Sequence, residues 1–156
     1  MIEIESRELA DIPVLHAYPV GQKDTPLPCV IFYHGFTSSS LVYSYFAVAL
    51  AQAGLRVIMP DAPDHGSRFS GDAARRLNQF WQILLQSMQE FTTLRAAIAE
   101  ENWLLDDRLA VGGASMGAMT ALGITARHPT IKMYRQHDGI GLFYIARPFT
   151  VSTADT

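Results

Sequence analysis

The segment Leu109-Ala110-Val111-Gly112-Gly113-Ala114-Ser115-Met116-Gly117 is the most informative part of the sequence. A short apolar strand leads into the serine, and a helix rich in small residues follows it. The turn between them is so tight that the residues two before and two after the serine must be small, and Gly113 and Gly117 meet this requirement. In this setting the G-x-S-x-G pattern predicts that Ser115 lies in a strained bend with its hydroxyl exposed above a sheet. A serine that only caps the helix is the alternative.

Short apolar runs alternate with longer helical patterns along the chain. The run Cys29–Tyr33 has no polar alternation, which is typical of a strand buried on both faces of a parallel sheet. Further strands are predicted at Met1–Arg7, Ile12–Tyr18, Arg56–Pro60 and Arg108–Gly112. Strands that alternate with helices predict a single α/β domain over residues 1–156. Its sheet should be mostly parallel, with helices on both faces and an antiparallel pair of N-terminal strands.

Three helices are predicted between these strands. The first covers residues 42–53, with cap hydroxyls at Ser38–Ser40 and Gly54 at its end. The second covers Asp72–Glu100, where apolar residues recur three or four positions apart. They are Leu77, Phe80, Leu84, Met88, Phe91, Leu94 and Ile98. The third helix, Met116–Arg127, begins directly after the serine.

Chemistry is expected in three loops, because ligands of such sheets bind beyond the carboxyl ends of the strands. The loops are residues 34–40, 61–72 and 112–117. Acyl transfer places negative charge on a carbonyl oxygen, and backbone N–H groups aimed at that oxygen can each lower the barrier by ~3 kcal/mol. The N–H groups of Phe36 and Met116 are the candidates for this oxyanion hole, and Gly35 lets the backbone approach a substrate. We interpret His34 as a structural histidine of the first loop rather than as a catalytic base.

Composition argues against several classes of protein. The chain has twelve basic and fifteen acidic residues, a net charge of −3, and no basic run. Nucleic acid and anionic membranes are therefore not expected partners. The lone cysteine, Cys29, lies in an apolar run and can form no disulfide within the chain. We recognise no signal peptide, transmembrane span or dinucleotide-binding glycine pattern, so we expect a cytoplasmic protein.

Three segments carry a family resemblance. They are Val30–Phe36, Met59–Ser67 and Gly113–Gly117. Together they resemble the α/β-hydrolase superfamily over residues 1–132, and in particular the small bacterial carboxylesterases of its dienelactone-hydrolase and prolyl-oligopeptidase-like branch. The resemblance implies hydrolysis of a small short-chain ester through an acyl-enzyme on Ser115, with no metal or organic cofactor. It also implies a structural role for His65.

The acid and histidine that should complete a catalytic triad are not evident. In this fold they follow the serine along the chain, the acid first and the histidine after it. The residues beyond Ser115 include His128, His137, Asp138 and Asp155, and no histidine follows Asp138. At ~1.5 Å per helical residue, His128 lies about 18 Å from the serine. Adjacent side chains of an extended segment point to opposite faces, so His137 and Asp138 make a poor relay.

Residues 133–156 differ in composition from the family. We interpret them as an atypical tail, produced by a reading-frame shift or premature stop after about residue 132, that leaves the domain incomplete. A genuine final strand at Ile140–Ala146 is the alternative, and the DNA downstream of Ile131 decides between the two. An open sheet would favour self-association through its edge. Two functions stay open: a serine carboxylesterase weakened by the missing base, and a non-catalytic α/β-hydrolase-like binding module.

Overall fold

The computed structural model describes residues 1–129, 131–135 and 143–148. The strands in this part of the chain are Ile2–Leu9 (β1), Ile12–Pro19 (β2), Leu27–Tyr33 (β3), Arg56–Pro60 (β4), Leu104–Ala114 (β5), Ile131–Arg135 (β6) and Phe143–Pro148 (β7). The helices are Ser44–Gln52 (α1), Ala73–Leu77 (α2), Phe80–Glu100 (α3) and Met116–Arg127 (α4), with a 3-10 turn at Gly66–Arg68. All the strands join one sheet in the order β1-β2-β4-β3-β5-β7-β6.

Parallel pairing occupies the centre of this sheet. β3 lies between β4 and β5 and is parallel to both, with Ile31 opposite Ile58 on one side and Val111 on the other. β1 and β2 form the predicted antiparallel hairpin, and β2 pairs antiparallel with β4. β7 pairs antiparallel with β5, and β6 with β7. The predicted α/β class is confirmed, but the sheet is mixed rather than mostly parallel, because antiparallel strands flank the three parallel ones.

Helices cover both faces of the sheet, as predicted. α1 packs on one face through Ala47 and Ala51, in a cluster with Val30, Phe32, Val57 and Met59. α3 and α4 cover the other face, in a cluster that contains Ile31, Tyr33, Ile58, Phe91, Leu94, Val111 and Ile124. Successive residues of β3 enter opposite clusters because side chains of a strand alternate between its faces. The strand therefore has no polar position.

Cys29 lies on this central strand and is buried as a free thiol. Burial raises the pKa of the thiol to about 12. The thiolate is therefore strongly disfavoured in the folded protein, and the residue acts as a small apolar side chain.

The predicted helix Asp72–Glu100 is wrong as a continuous element. The Asp72 carboxylate caps α2 by accepting the Arg75 N–H at 2.9 Å, but α2 ends at Leu77. At Gln79, φ −118° and ψ 18° are not helical, and α3 starts anew at the following residue. Because the break turns α2 away from the core, the side chain of Leu77 is 62% exposed instead of joining the apolar face.

The predicted cap of the first helix is also wrong. α1 begins at Ser44, and its N-cap residue, Tyr43, makes no side-chain cap hydrogen bond. The Ser40 hydroxyl donates instead to Asp61 Oδ1 at 2.8 Å, and the Ser40 N–H donates to the same oxygen at 3.0 Å. The Ser40 hydroxyl, which the sequence predicts as a helix cap, therefore bonds to Asp61, a residue distant along the chain.

Arg56 lies wholly inside the protein, at the amino ends of the parallel strands. Its Nη1 donates to His16 Nε2 at 2.7 Å, and His16 Nδ1 lies 2.8 Å from Glu5 Oε1. Nη2 donates to the carbonyl oxygen of Thr25 at 2.6 Å, and the guanidinium lies 4.8 Å from the centroid of the Trp103 ring. These contacts compensate the burial of the charge and join β1, β2 and β4.

The last strand, β7, overlaps Ile140–Ala146, the segment in which the sequence allows a genuine final strand as the alternative. β7 starts at Phe143 and pairs with the end of β5, with Phe143 opposite Ala114. Ile140–Leu142 and residues 149–156 lie outside the described residues. The interpretation of residues 133–156 as a frame-shifted tail stays a prediction.

The buried His16 should make stability fall in mild acid. Burial, with the Arg56 charge adding to it, lowers the pKa of His16 from 6.5 to about 4, although Glu5 opposes the shift. Below pH 6.5 the unfolded chain binds a proton that the folded chain excludes, so the stability present above pH 6.5 is lost as the pH falls towards 4. Between pH 7 and pH 5 we expect His16 to account for a loss of about 2 kcal/mol in the free energy of unfolding.

Urea unfolding at a series of pH values measures this loss. His16→Gln keeps an acceptor for Arg56 but cannot titrate, so it should remove about that share of the pH dependence. His128→Gln, which replaces a histidine at the end of α4, is the matched control and should retain it. A His16→Gln profile parallel to that of the unsubstituted chain would contradict the assignment.

Candidate active site

Ser115 occupies the single residue between β5 and α4. β5 ends at Ala114 and α4 begins at Met116. The serine has φ 56° and ψ −118°, a sparsely populated conformation for a residue with a side chain, which costs on the order of 1–3 kcal/mol. Its side chain is exposed, whereas both neighbours are buried. The bend therefore presents the hydroxyl to solvent at the carboxyl end of a central strand.

The glycines on either side of the bend provide space. A Cβ added at Gly113 would lie 2.3 Å from the carbonyl carbon of Gly117. One added at Gly117 would lie 1.9 Å from the carbonyl oxygen of Tyr33, at the end of β3. Both obstacles are backbone atoms, which cannot turn aside as the end of a side chain can. The two glycines thus let α4 approach β3 more closely than any other residue would allow.

The loop after β3 lies directly against the serine. A Cβ at Gly35 would be 3.6 Å from the Ser115 Cβ and 3.6 Å from the carbonyl oxygen of Ala114. The next residue, Phe36, therefore has its backbone beside the bend, and its N–H donates no hydrogen bond within the described residues. The N–H of Met116 is the first of α4, and such groups have no intrahelical acceptor. Both candidate donors are thus available beside Ser115.

His34 links this loop to the one that follows β4. Its ring is buried, and Nε2 accepts the Ala62 N–H at 3.0 Å. Because a backbone N–H can only donate, the proton of the neutral ring is on Nδ1, which donates to the carbonyl oxygen of Gly35 at 2.8 Å. Burial lowers the pKa of His34, so the neutral ring is the stable form near neutral pH. Both ring nitrogens are engaged, and neither is free to bind Ser115.

His65, in the loop after β4, also bonds to the loop after β3. Its Nε2 accepts the Thr37 N–H at 2.8 Å, and its Nδ1 lies 2.9 Å from the Pro63 carbonyl oxygen. Thr37 has φ 64°, a left-handed conformation that this hydrogen bond helps to hold. Burial lowers the pKa of His65, and its ring centroid lies 5.2 Å from that of His34. The two loops are therefore joined by a pair of neutral imidazoles.

Asp61, at the end of β4, ties the same region together. One carboxylate oxygen accepts the N–H and hydroxyl of Ser40, and the other accepts the hydroxyl of Ser67 at 2.9 Å and its N–H at 3.3 Å. Burial opposes ionisation, but these hydrogen bonds outweigh it and hold the pKa of Asp61 below its ordinary value. The carboxylate is thus committed to holding the loops.

An apolar wall stands beside the Phe36 backbone. Phe36 and Phe80 pack on a buried cluster that contains Ala62, Ile83, Leu84 and Met116. Their rings meet edge to face with centroids 5.0 Å apart, and Trp81 extends the wall outward with 66% of its surface exposed. The helical period predicted Phe80 as an ordinary core residue and gave no sign that the start of α3 would face the candidate site.

Tyr43 is a site residue that the sequence did not single out. Its hydroxyl lies 2.9 Å from the place where a Cβ of Gly35 would be, so it stands over the glycine that faces Ser115. Tyr43 precedes α1 in an irregular segment. No periodic pattern could indicate its direction, and only the fold brings it to the site.

No described histidine forms a hydrogen bond with Ser115. His34 and His65 are engaged as above, and His16 lies in the Arg56 network. The ring of His128 packs edge-on against Phe91 with centroids 4.9 Å apart, at the far end of α4. The remaining candidates, His137, Asp138 and Asp155, lie outside the described residues. Within the residues that the structure describes, no three His, Cys, Asp or Glu side chains are grouped to hold a metal ion.

Comparison with known proteins agrees with this geometry. Residues 24–136 match the Hydrolase_4 family, described as serine aminopeptidase, S33. The chain belongs to the Hydrolase_4 family. The α/β-hydrolase resemblance of the three sequence segments is thereby confirmed.

The chain is similar in sequence or in fold to several hydrolases, including esterases. It is 93% identical over 143 residues to the esterase YjfP of Escherichia coli (strain K12), an alignment that covers 92% of this chain and 57% of that protein. The chain therefore spans little more than half the length of this relative. A cold-adapted esterase from an Arctic intertidal metagenomic library has a TM-score of 0.62 at 23% identity, over 82% of this chain and 56% of that one. The dienelactone hydrolase-like promiscuous phosphotriesterase P91, also metagenomic, has a TM-score of 0.62 at 16% identity, over 81% and 54%.

The close approach of α4 to β3 should make Gly117 nearly irreplaceable. We expect Gly117→Ala to lower the free energy of unfolding by about 3 kcal/mol or more, because the added Cβ must push a backbone carbonyl aside. Gly123→Ala, in the same helix, is the matched control. Its Cβ would meet only the Met88 side chain, whose Cε and Sδ are 2.5 Å away and can move. Alanine also favours a helix over glycine by ~1 kcal/mol, so the net change should stay within about 1 kcal/mol. Urea unfolding compares the two, and equal losses would argue against a steric cause.

Proposed function

We propose that this chain is the nucleophile-bearing portion of a serine carboxylesterase that acts on small, short-chain esters. One observation carries the proposal: the exposed Ser115 is held at φ 56° between β5 and α4, beside two N–H groups that have no acceptor among the described residues. A strained, exposed serine with oxyanion donors next to it is the arrangement that nucleophilic acyl transfer requires. The similarity to an esterase supports an ester as the class of substrate.

In the proposed reaction the Ser115 Oγ attacks the carbonyl carbon of the ester, and the hydroxyl proton passes to a general base. The carbonyl oxygen becomes negatively charged and accepts hydrogen bonds from the N–H groups of Phe36 and Met116, each worth ~3 kcal/mol in the transition state. The bond from the carbonyl carbon to the alcohol oxygen then breaks, and the alcohol leaves with a proton. Water hydrolyses the acyl-serine and restores the hydroxyl.

The surroundings of Ser115 favour a small acyl group. Phe36 and Phe80 form an apolar wall beside the donors, and Tyr43 stands over Gly35 on another side. Apolar walls with a few convergent polar groups are typical of small-molecule sites. The N-terminus of α4 adds a positive potential where the oxyanion forms.

The general base is the missing element of this proposal. Among residues 1–129 no imidazole nitrogen bonds to Ser115, so proton abstraction has no partner there. Loss of triad partners lowers kcat by several orders of magnitude, yet an intact oxyanion hole and substrate binding retain ~10³-fold or more catalysis over water. We therefore expect weak esterase activity from the 156-residue chain.

A non-catalytic binding module is the second candidate. The engagement of His34 and His65 in loop contacts favours it, because a cleft without a base can bind an acyl compound and leave it intact. The two candidates differ in the reactivity of the Ser115 hydroxyl.

Self-association is a further part of the proposal. β1 and β6 stand at the two ends of the sheet order among the described strands, and exposed edges pair readily with other chains. Leu77, Trp81 and Leu85, spaced four residues apart, are 62%, 66% and 43% exposed. Sedimentation velocity over a range of concentrations measures the association.

In the described part of the chain, no helix combines the length and apolarity needed to cross a bilayer. A cytoplasmic location stays an expectation from the sequence.

A fluorophosphonate probe separates the two candidate functions. We expect the probe to bond to Ser115, detected as a mass increase of the intact chain and placed by peptide mass spectrometry. Ser115→Ala should acquire no label, and Ser6→Ala, which removes an exposed serine of β1, should react at the original rate. Labelling that persists in Ser115→Ala would exclude this serine as the nucleophile. A folded chain that takes up no label would favour the binding module.

A further inference from the structure

We propose that His34 is the positioning residue of the oxyanion hole, and that the Ala62 N–H sets its tautomer. The inference rests on the proposed function, because it concerns how the Phe36 donor is aimed. His34 would not touch the substrate. It would act through the peptide group that joins Gly35 to Phe36.

The peptide group between Gly35 and Phe36 has a fixed geometry. The Gly35 carbonyl and the Phe36 N–H belong to one planar trans peptide, in which the two groups point in opposite directions. His34 Nδ1 holds the carbonyl oxygen at 2.8 Å, and the Ser38 N–H donates to the same oxygen at 3.2 Å. A peptide held by its carbonyl cannot rotate, so the N–H on its other side keeps a fixed direction. The Phe36 N–H therefore points away from His34, and no described residue accepts its hydrogen bond.

The tautomer of the His34 ring is set by the Ala62 N–H. A neutral imidazole has one N–H, and which nitrogen bears it depends on the partners of the ring. The Ala62 N–H, 3.0 Å from Nε2, requires that nitrogen to accept, so the proton lies on Nδ1 and faces the Gly35 carbonyl. The opposite tautomer would set two donors against each other at Nε2 and leave no donor for the carbonyl. The backbone after β4 thus controls the direction of a donor after β3.

His65 secures the neighbouring peptide in the same way. Its Nε2 accepts the N–H of Thr37, which belongs to the peptide that joins Phe36 to Thr37. Both peptides flanking the Phe36 Cα are therefore held by histidines, one through a carbonyl and one through an N–H. Phe36 has little freedom to change its backbone angles, and the donor is preorganised before substrate arrives.

The hydrogen bonds that His34 and His65 accept require both imidazole rings to be uncharged. Protonation would place a hydrogen on Nε2 of either histidine, directly opposite the N–H that it now accepts. The titratable groups that influence the pKa of His34 are His65 and Asp61. Those that influence the pKa of His65 are Arg76, Asp64 and Asp61. Burial dominates at both rings and lowers both pKa values. The oxyanion donor should stay in place at neutral pH and be released only in acid, below the ordinary histidine pKa of 6.5.

Two substitutions separate positioning from simple support of the loop. In His34→Asn, the side-chain amide reaches the place of Nδ1 and still donates to the Gly35 carbonyl, but the Ala62 N–H loses its acceptor. In His34→Gln, the amide oxygen reaches the place of Nε2 and still accepts from Ala62, but the donor to Gly35 is lost. Each variant removes one of the two hydrogen bonds. His128→Gln serves as the matched control.

The first readout is the rate of fluorophosphonate labelling at Ser115. We expect His34→Gln to react roughly tenfold to a hundredfold more slowly, somewhat less than the ~10²–10³ typical of removing an oxyanion donor outright. His34→Asn should react within about threefold of the unsubstituted chain, whatever its stability. If both variants slow equally, or only in proportion to their loss of stability, His34 supports the loop without aiming the donor.

The second readout uses the unsubstituted chain and needs no reaction. Imidazole ¹⁵N chemical shifts at pH 7 should show the His34 ring neutral with its proton on Nδ1. The amide ¹H and ¹⁵N shifts of Phe36 should move together with the ring shifts when the sample is acidified. A proton on Nε2, or a charged ring at pH 7, would overturn the inference even if Ser115 is labelled. The predicted tautomer without any labelling of Ser115 would instead count against the proposed function alone.

Discussion

The contact between Gly117 and the carbonyl oxygen of Tyr33 determines how the chain is arranged around Ser115. It lets the first turn of α4 lie against the end of β3, closer than any Cβ permits. The single residue between β5 and α4 must then reverse the chain within one peptide, and this accounts for the positive φ of Ser115. The same approach brings the loop after β3 beside the serine, so one steric contact fixes both Ser115 and the backbone N–H groups around it.

Strain at Ser115 persists because its surroundings are densely bonded. Around the carboxyl ends of β3 and β4, two neutral histidines and one ionised carboxylate satisfy the backbone N–H groups of Thr37, Ser40 and Ala62. At the opposite ends of the strands, Arg56 and His16 form a separate buried network. The two polar networks lie at either end of the parallel strands, with the two apolar clusters on the faces between them. A reactive loop can be held rigidly when its support does not depend on the substrate.

Sequence patterns predicted the central strands and the tight bend at Ser115 well because those features depend on local composition. A strand buried on both faces has no polar position, and a serine set among small residues between a strand and a helix fits few structures besides an elbow. The patterns failed where a distant residue decided the outcome. Ser40 was expected to cap α1, but Asp61, 21 residues away, takes its hydroxyl. The break at Gln79 divides a helix whose apolar spacing runs through it without interruption. The place of Tyr43 and the tautomer of His34 also depend on contacts made only in three dimensions.

Because Cys29 is buried, the reactivity of its thiol can measure how often the folded chain opens. The thiol lies on the central strand, between layers of helices, and its high pKa keeps it protonated. An alkylating reagent can reach the sulfur only when β3 parts from the helices that cover it, so slow modification would count rare openings of the whole sheet rather than fluctuations of its loops. β3 also leads directly into the loop beside Ser115. The reactivity of the same sulfur would therefore report whether a substitution in that loop has loosened only the loop or also the sheet beneath it.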